Sequence, residues 1–490
     1  MCADYLANCL FCLFEILDRS NDLDLVIEVW QQAIRLTPDD CPEKPARLNS
    51  LGISFKRRFE RLGNLVDVNE AITAQQQAIH LTPDGHPDEP VYLNNLGLSL
   101  KSRFGRLGNL ADVNRAIMAQ QQAVRLTPDG QPNKPLFLNN LGFSLESRFW
   151  RLGNLADVNE SIMAQQRAVR LTPDGHPDKP VFLGSLGLSL KSRFGRLGNL
   201  ADVNKAIMAQ QQAVRLTPDD HPGKPARLTN LGNSFRSRFG RLGNLADVNE
   251  AIMAQQLAVC LAPDGHPDKP VFLNNLGLSF KSRFGRLGNL ADVNQAIMAQ
   301  QQAVRLAPDD HPGKSARLKN LVNSLSNRFG RLGNLADVDE AIMAQQQAVR
   351  LTPDGHPDKP LFLNNLGLSF KSRFGRLGNL ADVNQAIMAQ QQAVRLTPDD
   401  HTNKPGYLNN LGLSFQSRFK RLGDLADINE VIVAQQQAVN LTPDDHPNKP
   451  QSLASLQLSL QDRPEHLCTL WGLKRENSKP LGLAHKRCGR

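Results

Sequence analysis

The chain is poor in aromatic residues and has no long apolar segment. Aromatic side chains are only 6% of the 490 residues, although the apolar content of 40% is enough for a core. The longest apolar run, residues 6–17, contains Asn8 and Glu15, whereas about 18 apolar residues are needed to cross a bilayer. We therefore expect an intracellular protein with no membrane partner.

Cysteine is sparse and irregularly placed, at positions 2, 9, 12, 41, 260, 468 and 488. A disulfide framework would recur with the fold, so a reducing compartment, the cytoplasm, is expected. Cys9 and Cys12 have the spacing of a redox or zinc pair, but no second pair lies near them in the sequence. We predict that both are structural.

The chain also lacks a strongly basic body. Its formal net charge is +9, but seven Lys or Arg and two Asp or Glu lie between residues 463 and 490. Residues 1–462 therefore carry only +4. A charge this small over such a length gives no reason to expect a nucleic-acid partner.

What the chain does have is a repeat. The segment Leu-Thr/Ala-Pro-Asp occurs ten times at a spacing of 45 residues, from Leu36 to Leu441, and Arg-Leu-Gly-Asn/Asp-Leu occurs nine times from Arg61. One structural unit is therefore repeated about ten times, and such an array is a single domain that grows along one axis. The predicted parts are a degenerate N-terminal repeat or cap (1–35), the array (36–462) and a basic tail without regular structure (463–490).

Each unit reads as two helices. In the unit that begins at Pro90, Gly108 suits the left-handed residue that ends the first helix, and Asn109 suits the N-cap of a second helix over residues 110–126. Pro128 ends that second helix. The apolar stripe of the first helix has spacings of three and four residues and comprises Leu93, Leu96, Leu100, Phe104 and Leu107.

Neither helix can bury its stripe alone, so successive pairs have to stack. We predict an all-α protein, an α-solenoid of about ten 45-residue helix-turn-helix repeats that form a superhelix. The Phe104 equivalents are expected to be the largest core groups.

The unit resembles a tetratricopeptide repeat. Leu96 and Gly97 match the signature of its first helix, and Ala116, Ala123 and Pro128 match that of its second. Leu-Asn-Asn-Leu-Gly, preceded in several units by Pro-Asp-Gly/Asp-His-Pro, resembles the kinesin-light-chain subtype found in fungal arrays. The unit departs from the family in its length, which is roughly 34 residues in the standard repeat. It also departs in having Leu93 and Gln120 where aromatic residues are usual.

The resemblance implies a protein–protein interaction scaffold that binds a peptide or protein partner along a concave groove lined by the first helices. The alternative is a sensor or regulatory arm of a signalling protein linked to an NTPase or a caspase-like peptidase, whose effector domain is absent from this chain. No phosphate-binding loop and no catalytic set stand apart from the repeat, so no enzyme, catalytic residue or cofactor is expected.

In related repeats, asparagines of the first helix bond the backbone of a bound peptide, because an amide both donates and accepts. The lysines on the same side favour acidic residues in that peptide. An alternative is that the asparagines tie adjacent helices together. The predicted partner-binding residues are Asn94, Asn95, Asn139, Asn140, Asn230, Asn274, Asn275, Asn364, Asn365, Asn409, Asn410, Lys101, Lys191, Lys281 and Lys371, with Asn49 as a further half-pair.

A histidine recurs in the loops between repeats, from His86 to His446. Neighbouring loops lie about 10 Å apart, the distance between packed helices, whereas ligands lie about 2 Å from a shared metal ion. We therefore predict no metal site, and a histidine bonded to the local backbone. Two rows of arginine, from Arg58 to Arg418 and from Arg61 to Arg421, are expected to be solvated or balanced by the acidic loops.

Overall fold

The computed structural model describes residues 5–7, 9–12, 20–309, 311 and 313–461. Every regular element within these residues is helical, so the prediction of an all-α solenoid is confirmed. The helices from residue 20 onward are α1 (Ser20–Arg35), α2 (Lys44–Leu62), α3 (Leu65–His80), α4 (Glu89–Leu107), α5 (Leu110–Leu126), α6 (Lys134–Leu152), α7 (Leu155–Leu171), α8 (Lys179–Leu197), α9 (Leu200–Arg215), α10 (Lys224–Leu242), α11 (Leu245–Leu261), α12 (Lys269–Leu287), α13 (Leu290–Leu306), α14 (Lys314–Leu332), α15 (Leu335–Leu351), α16 (Lys359–Leu377), α17 (Leu380–Arg395), α18 (Lys404–Leu422), α19 (Leu425–Leu441) and α20 (Lys449–Gln461).

Each repeat consists of an even-numbered helix, called here the A helix, and the odd-numbered B helix that follows it. Between α4 and α5, Gly108 has φ +68°, a left-handed conformation that favours glycine, and its N–H donates to the Phe104 carbonyl oxygen at 2.7 Å. The Asn109 side-chain oxygen then accepts from the Ala111 N–H at 3.0 Å and caps α5. The predicted glycine–asparagine turn is confirmed here and recurs in the other A–B pairs.

The core lies between successive pairs. Phe104 on α4 packs with Val113 and Ile117 on α5 and with Leu141 and Leu145 on α6 of the next repeat. Phe104 is 8% exposed. Since one cluster draws side chains from two repeats, each repeat depends on its neighbour to bury its stripe.

A buried or half-buried lysine at the start of nine of the ten A helices joins consecutive repeats, a feature that sequence reasoning missed. Lys224 donates from Nζ to the carbonyl oxygens of Val214 at 2.8 Å and Thr217 at 2.5 Å. Both carbonyls lie at the end of the preceding B helix, where a positive charge is favourable. Lys224 also forms an ion pair with Asp219 at 3.0 Å.

Gln120 explains why Gly97 is a glycine. A Cβ at Gly97 would lie 2.6 Å from Cγ of Gln120, so the helices pack too closely there for any side chain. Gln120 is fully buried, and neither its Oε1 nor its Nε2 has a hydrogen-bond partner in the described part of the chain. The usual aromatic of the second helix is thus replaced by an amide that fills space.

The chain forms two compact units, Met1–Ala262 and Pro263–Arg490. In the first unit, α1 takes the place of a B helix, and the helical residues 5–7 and 9–12 pack on it through Ala7, Leu10 and Phe11. The N-terminal cap stays a prediction. The tail 463–490 lies outside the described residues. Among the described helices, none is long and apolar enough to span a membrane.

Candidate partner-binding face

The first arginine row pairs with buried aspartates. Arg103 near the end of α4 donates from Nε and Nη2 to the Asp112 carboxylate at 2.9 and 2.5 Å. Its Nη1 reaches Asn69 on the preceding B helix at 2.9 Å. Asp112 is 2% exposed, and the hydrogen bond to it raises the pKa of Arg103.

The expectation that the acidic loops balance these arginines was therefore wrong. The tight turn folds the end of the A helix back on the start of the B helix, so each arginine meets the aspartate nine residues further on. The pairs are Arg58–Asp67, Arg103–Asp112, Arg148–Asp157, Arg193–Asp202, Arg238–Asp247, Arg283–Asp292, Arg328–Asp337, Arg373–Asp382 and Arg418–Asp427. The second row, which includes Arg106, is exposed.

The histidines bond the local backbone, as predicted. Nδ1 of His86 accepts from the Asp88 N–H at 3.2 Å, and Nδ1 of His221 accepts from the Gly223 N–H at 2.9 Å. The same contact recurs at six other loop histidines: His176, His266, His311, His356, His401 and His446. In the described ranges, no group of three metal-ligating side chains comes together.

The asparagines form contacts between neighbouring A helices. Nδ2 of the second asparagine in one repeat donates at 3.0 Å to Oδ1 of the first asparagine in the repeat before it. The tie that the sequence left open is thus present in four places. These bonds are Asn95 to Asn49, Asn140 to Asn94, Asn320 to Asn274 and Asn410 to Asn364.

Other asparagines of the predicted set do not donate a hydrogen bond to the neighbouring A helix. Asn275 donates to the Val271 carbonyl in its own helix at 2.9 Å, and Asn365 accepts from Asn364 at a long 3.5 Å. Asn230 is half-buried. The Oδ1 atoms of Asn139 and Asn409 are buried without a hydrogen-bond partner in the described residues.

The predicted lysines lie in a charged register that runs along the A helices at 45-residue steps. In the first unit, this register contains Lys56, Lys101, Glu146, Lys191 and Arg236, and Nζ of Lys101 lies 5.0 Å from the centroid of the Phe143 ring on the next A helix. Sequence reasoning did not select Lys56, Glu146 or Arg236, although their spacing from Lys101 identifies them.

Burial disfavours the charged form of these groups. It lowers the pKa of Lys101, and the neighbouring charge of Lys56 lowers it further, while Glu146 and Glu60 raise it in part. Burial and then repulsion from Arg236 lower the pKa of Lys191, which Glu146 raises in part, and burial lowers that of Arg236. In the second unit, burial and then Lys420 lower the pKa of Lys371. Lys281, also half-buried, lies at the same register position.

Three of these cations form no ion pair within the described part of the first unit. The Glu146 carboxylate accepts from the hydroxyls of Ser192 at 2.7 Å and Ser189 at 3.2 Å and forms no ion pair. Nη2 of Arg236 donates to an asparagine oxygen at 3.1 Å, while its Nε is buried without a partner. We call Lys101, Lys191 and Arg236 the inner cation column.

Antiparallel helix pairs with this turn and this stacking define an α-solenoid of tetratricopeptide-like repeats. No family model and no curated protein matches the sequence. The likenesses to solved structures concern repeat proteins and are distant. Nearly identical TPR-like repeats of a Podosopora anserina putative kinesin light chain are 16% identical, with 44% of this chain and 97% of that chain covered and a TM-score of 0.34.

Two longer likenesses are equally distant. A human IFIT1 dimer with PPP-AAAA is 15% identical, with 94% of each chain covered and a TM-score of 0.44. Yeast Tom70 is 14% identical, with 94% of this chain and 97% of that chain covered and a TM-score of 0.35. At this distance they assign neither a partner nor a subtype, so the kinesin-light-chain subtype stays a prediction.

Proposed function

We propose that this protein is an interaction scaffold that binds an acidic segment of a partner protein along its A helices. The observation that supports this is the inner cation column, whose three half-buried cations have no carboxylate within ion-pair distance among the described residues. A partly desolvated charge is costly unless an opposite charge accompanies it. An acidic ligand would supply that charge.

The spacing of the column suits an extended peptide. Neighbouring helices pack about 10 Å apart, and an extended chain advances about 3.3 Å per residue. One repeat therefore corresponds to about three peptide residues. Acidic residues three positions apart would meet Lys191 and Arg236, and a further acidic residue six positions from the one at Lys191 would meet Lys101, because Glu146 occupies the step between the two lysines.

The four described cysteines, Cys9, Cys12, Cys41 and Cys260, form no disulfide, which accords with the cytoplasmic location that we propose.

Fluorescence anisotropy on the full chain tests the proposal. The probe is a labelled peptide in a serine background with glutamates at positions 1, 7 and 10, which match Lys101, Lys191 and Arg236 and leave a serine opposite Glu146, and its control has glutamine in those positions. The variant Lys101→Gln/Lys191→Gln is compared with Arg115→Gln/Lys205→Gln, which removes two exposed charges from B helices. We expect the column variant to weaken binding about tenfold or more, close to 1.4 kcal/mol, and the control variant to change it little.

Equal binding by both variants would reject the column as the site. Binding of the glutamine peptide as tightly as the glutamate peptide would reject the acidic ligand. A single-stranded oligouridylate that displaces the peptide at lower concentration would favour an RNA partner over a protein. Circular dichroism on both variants confirms that each is folded.

A further inference from the structure

A separate cleft lies between two consecutive inter-repeat loops of the first unit. It has a volume of about 310 Å³, and its lining includes His176, Pro180, Thr217, Pro218, His221 and Arg227. None of these residues belongs to the inner cation column. We call it the His176–Arg227 cleft.

The cleft is lined by hydrogen-bond donors. Nδ1 of His176 accepts from the Asp178 N–H at 3.2 Å, and Nδ1 of His221 accepts from the Gly223 N–H at 2.9 Å. With Nδ1 occupied as an acceptor, each neutral ring carries its hydrogen on Nε2. Both histidines therefore retain a free-standing N–H donor, and the Arg227 guanidinium adds several more.

Arg227 has no carboxylate partner among the described residues. Its one polar contact joins Nη1 to Nδ1 of His221 at 3.5 Å, and burial alone lowers the pKa of the guanidinium. Two acids lie nearby, but neither lines the cleft or pairs with Arg227. Asp178 has a carboxylate oxygen 4.0 Å from Nδ1 of His176, and Asp219 pairs with Lys224 at 3.0 Å. The charge offered to a ligand in the cleft is therefore positive.

We propose that the His176–Arg227 cleft binds an oxyanion, a carboxylate or phosphate group, held by the Arg227 guanidinium and the two histidine Nε2–H groups. The planar guanidinium fork suits both groups because it donates two parallel hydrogen bonds. The cleft is large enough for a small anion or for one acidic side chain.

The second unit repeats the contact between arginine and histidine. Arg317 is 6% exposed, and its Nη1 lies 3.3 Å from Nδ1 of His311, which accepts from the Gly313 N–H at 2.9 Å. Its acidic neighbour Asp309 pairs with Lys314 at 2.6 Å, and the charge of Asp268 only partly offsets the lowering of the Arg317 pKa by burial. No carboxylate lies within ion-pair distance of Arg317 among the described residues, and a guanidinium this deeply buried without one is an independent sign of a missing anion.

A third arginine at this position provides a contrast. Arg47 follows Cys41 where the other two repeats have histidine, and its Nη1 donates to Oγ1 of Thr37 at 2.5 Å. The arginine engages its own loop there, so we expect no oxyanion site in that repeat.

Isothermal titration calorimetry on the full chain, with inorganic phosphate and acetate as separate probes at constant ionic strength, tests the proposal. The variants are Arg227→Phe, Arg317→Phe and both together. Phenylalanine is the residue that other repeats carry at this position, Phe137 for example, so the variants are expected to fold. The charge-matched control is Arg115→Gln/Arg395→Gln, at two exposed positions.

We expect two sites in the unaltered chain and the loss of one site in each single variant. In the double variant, affinity should fall at least about tenfold, while the control should bind like the unaltered chain. The comparison of the two probes shows whether phosphate or carboxylate is preferred. Undiminished binding in the double variant, or no binding of either probe by the unaltered chain, overturns the proposal.

The outcome is distinguishable from that of the proposed scaffold function. Lys101→Gln/Lys191→Gln should keep the phosphate or acetate binding, because neither lysine lines the cleft. Conversely, Arg227→Phe/Arg317→Phe should keep the binding of the labelled acidic peptide.

Discussion

Two equivalent clefts of the first unit differ in chemistry although they have the same frame. The His176–Arg227 cleft has a counterpart of about 190 Å³ two repeats earlier, lined by residues between 85 and 137. Corresponding prolines, threonines and loop histidines line both. The linings differ at Gln131 against His221 and at Phe137 against Arg227, and Glu89 lines the first cleft whereas its counterpart Lys179 does not line the second.

The comparison shows that the helix packing and the chemistry of the cleft depend on different residues of the repeat. Phe137 is 3% exposed and packs with Leu93, Ala119 and Ala123, whereas its counterpart Arg227 is half-buried and borders a larger cleft. The helices nevertheless keep their bounds and turns in both repeats. A few substitutions therefore change an apolar, partly acidic cleft into a basic one without a change of fold.

The largest expected effect tests whether the helices pack equally well in the two repeats. Phe104→Ala in the repeat of the first cleft and Phe194→Ala in the repeat of the second should each lower the free energy of unfolding by about 3–5 kcal/mol, because each removes a buried ring and leaves a cavity. Urea unfolding followed by circular dichroism measures both. We expect the two losses to agree within about 1 kcal/mol.

The matched controls are Met118→Ala and Met208→Ala, which are both 68% exposed and should change stability little. If the losses in the free energy of unfolding of the two phenylalanine variants differ by more than about 1 kcal/mol, the helices of the two repeats do not pack equally well. The chemistry of a cleft would then depend on the packing of its repeat as well as on the residues that line it.

An intermediate effect concerns the buried amides of Gln120 and Gln210, in the same two repeats. Gln120→Met and Gln210→Met should each raise the free energy of unfolding by about 1–3 kcal/mol, because both amides are buried without hydrogen-bond partners and methionine has a similar shape. Urea midpoints of the two variants measure the gain. A loss of stability would mean that the amides have hydrogen-bond partners. A gain in one repeat alone would mean that the two repeats pack differently around the amide.

Most of the fold was predictable because the same local sequence signals occur in nearly every repeat. The helix stripe, the left-handed Gly108 and the Asn109 cap are local signals, and each recurs at the same spacing. The histidine contacts were predictable for the same reason, since they join residues two positions apart. A local pattern needs no knowledge of how repeats stack.

The side chains that join one element to the next were harder to predict. The pairing of Arg103 with Asp112 needs the turn to be closed, and the bond from Asn140 to Asn94 needs the distance between two A helices. The half-burial of Lys101 and Lys191 is also set by the neighbouring repeats. Residue types alone therefore suggested a charged face, but not that its cations are partly desolvated. Partner binding by these residues stays a prediction.

The smallest expected effect uses Tyr92, which occupies the Phe137 and Arg227 position one repeat before Phe137. Burial, and then the nearby charge of Asp88, raise the pKa of Tyr92 from its ordinary value of about 10 to about 12. The unfolded chain therefore loses this proton at lower pH than the folded chain. The stability that the neutral phenol contributes is complete below pH 10 and is lost as the pH rises toward 12.

Tyr92→Phe should consequently flatten the decline in the free energy of unfolding over this pH range while leaving stability near pH 8 almost unchanged. The measurement is a series of urea midpoints at fixed ionic strength, with Tyr5→Phe, at a 76% exposed position, as the control. The same decline in the Tyr92→Phe variant as in the unaltered chain would mean that the phenol ionises freely in the folded state. In that case this position would be open to water in the repeat of Tyr92, and the contrast between an apolar Phe137 cleft and a basic Arg227 cleft would not extend to it.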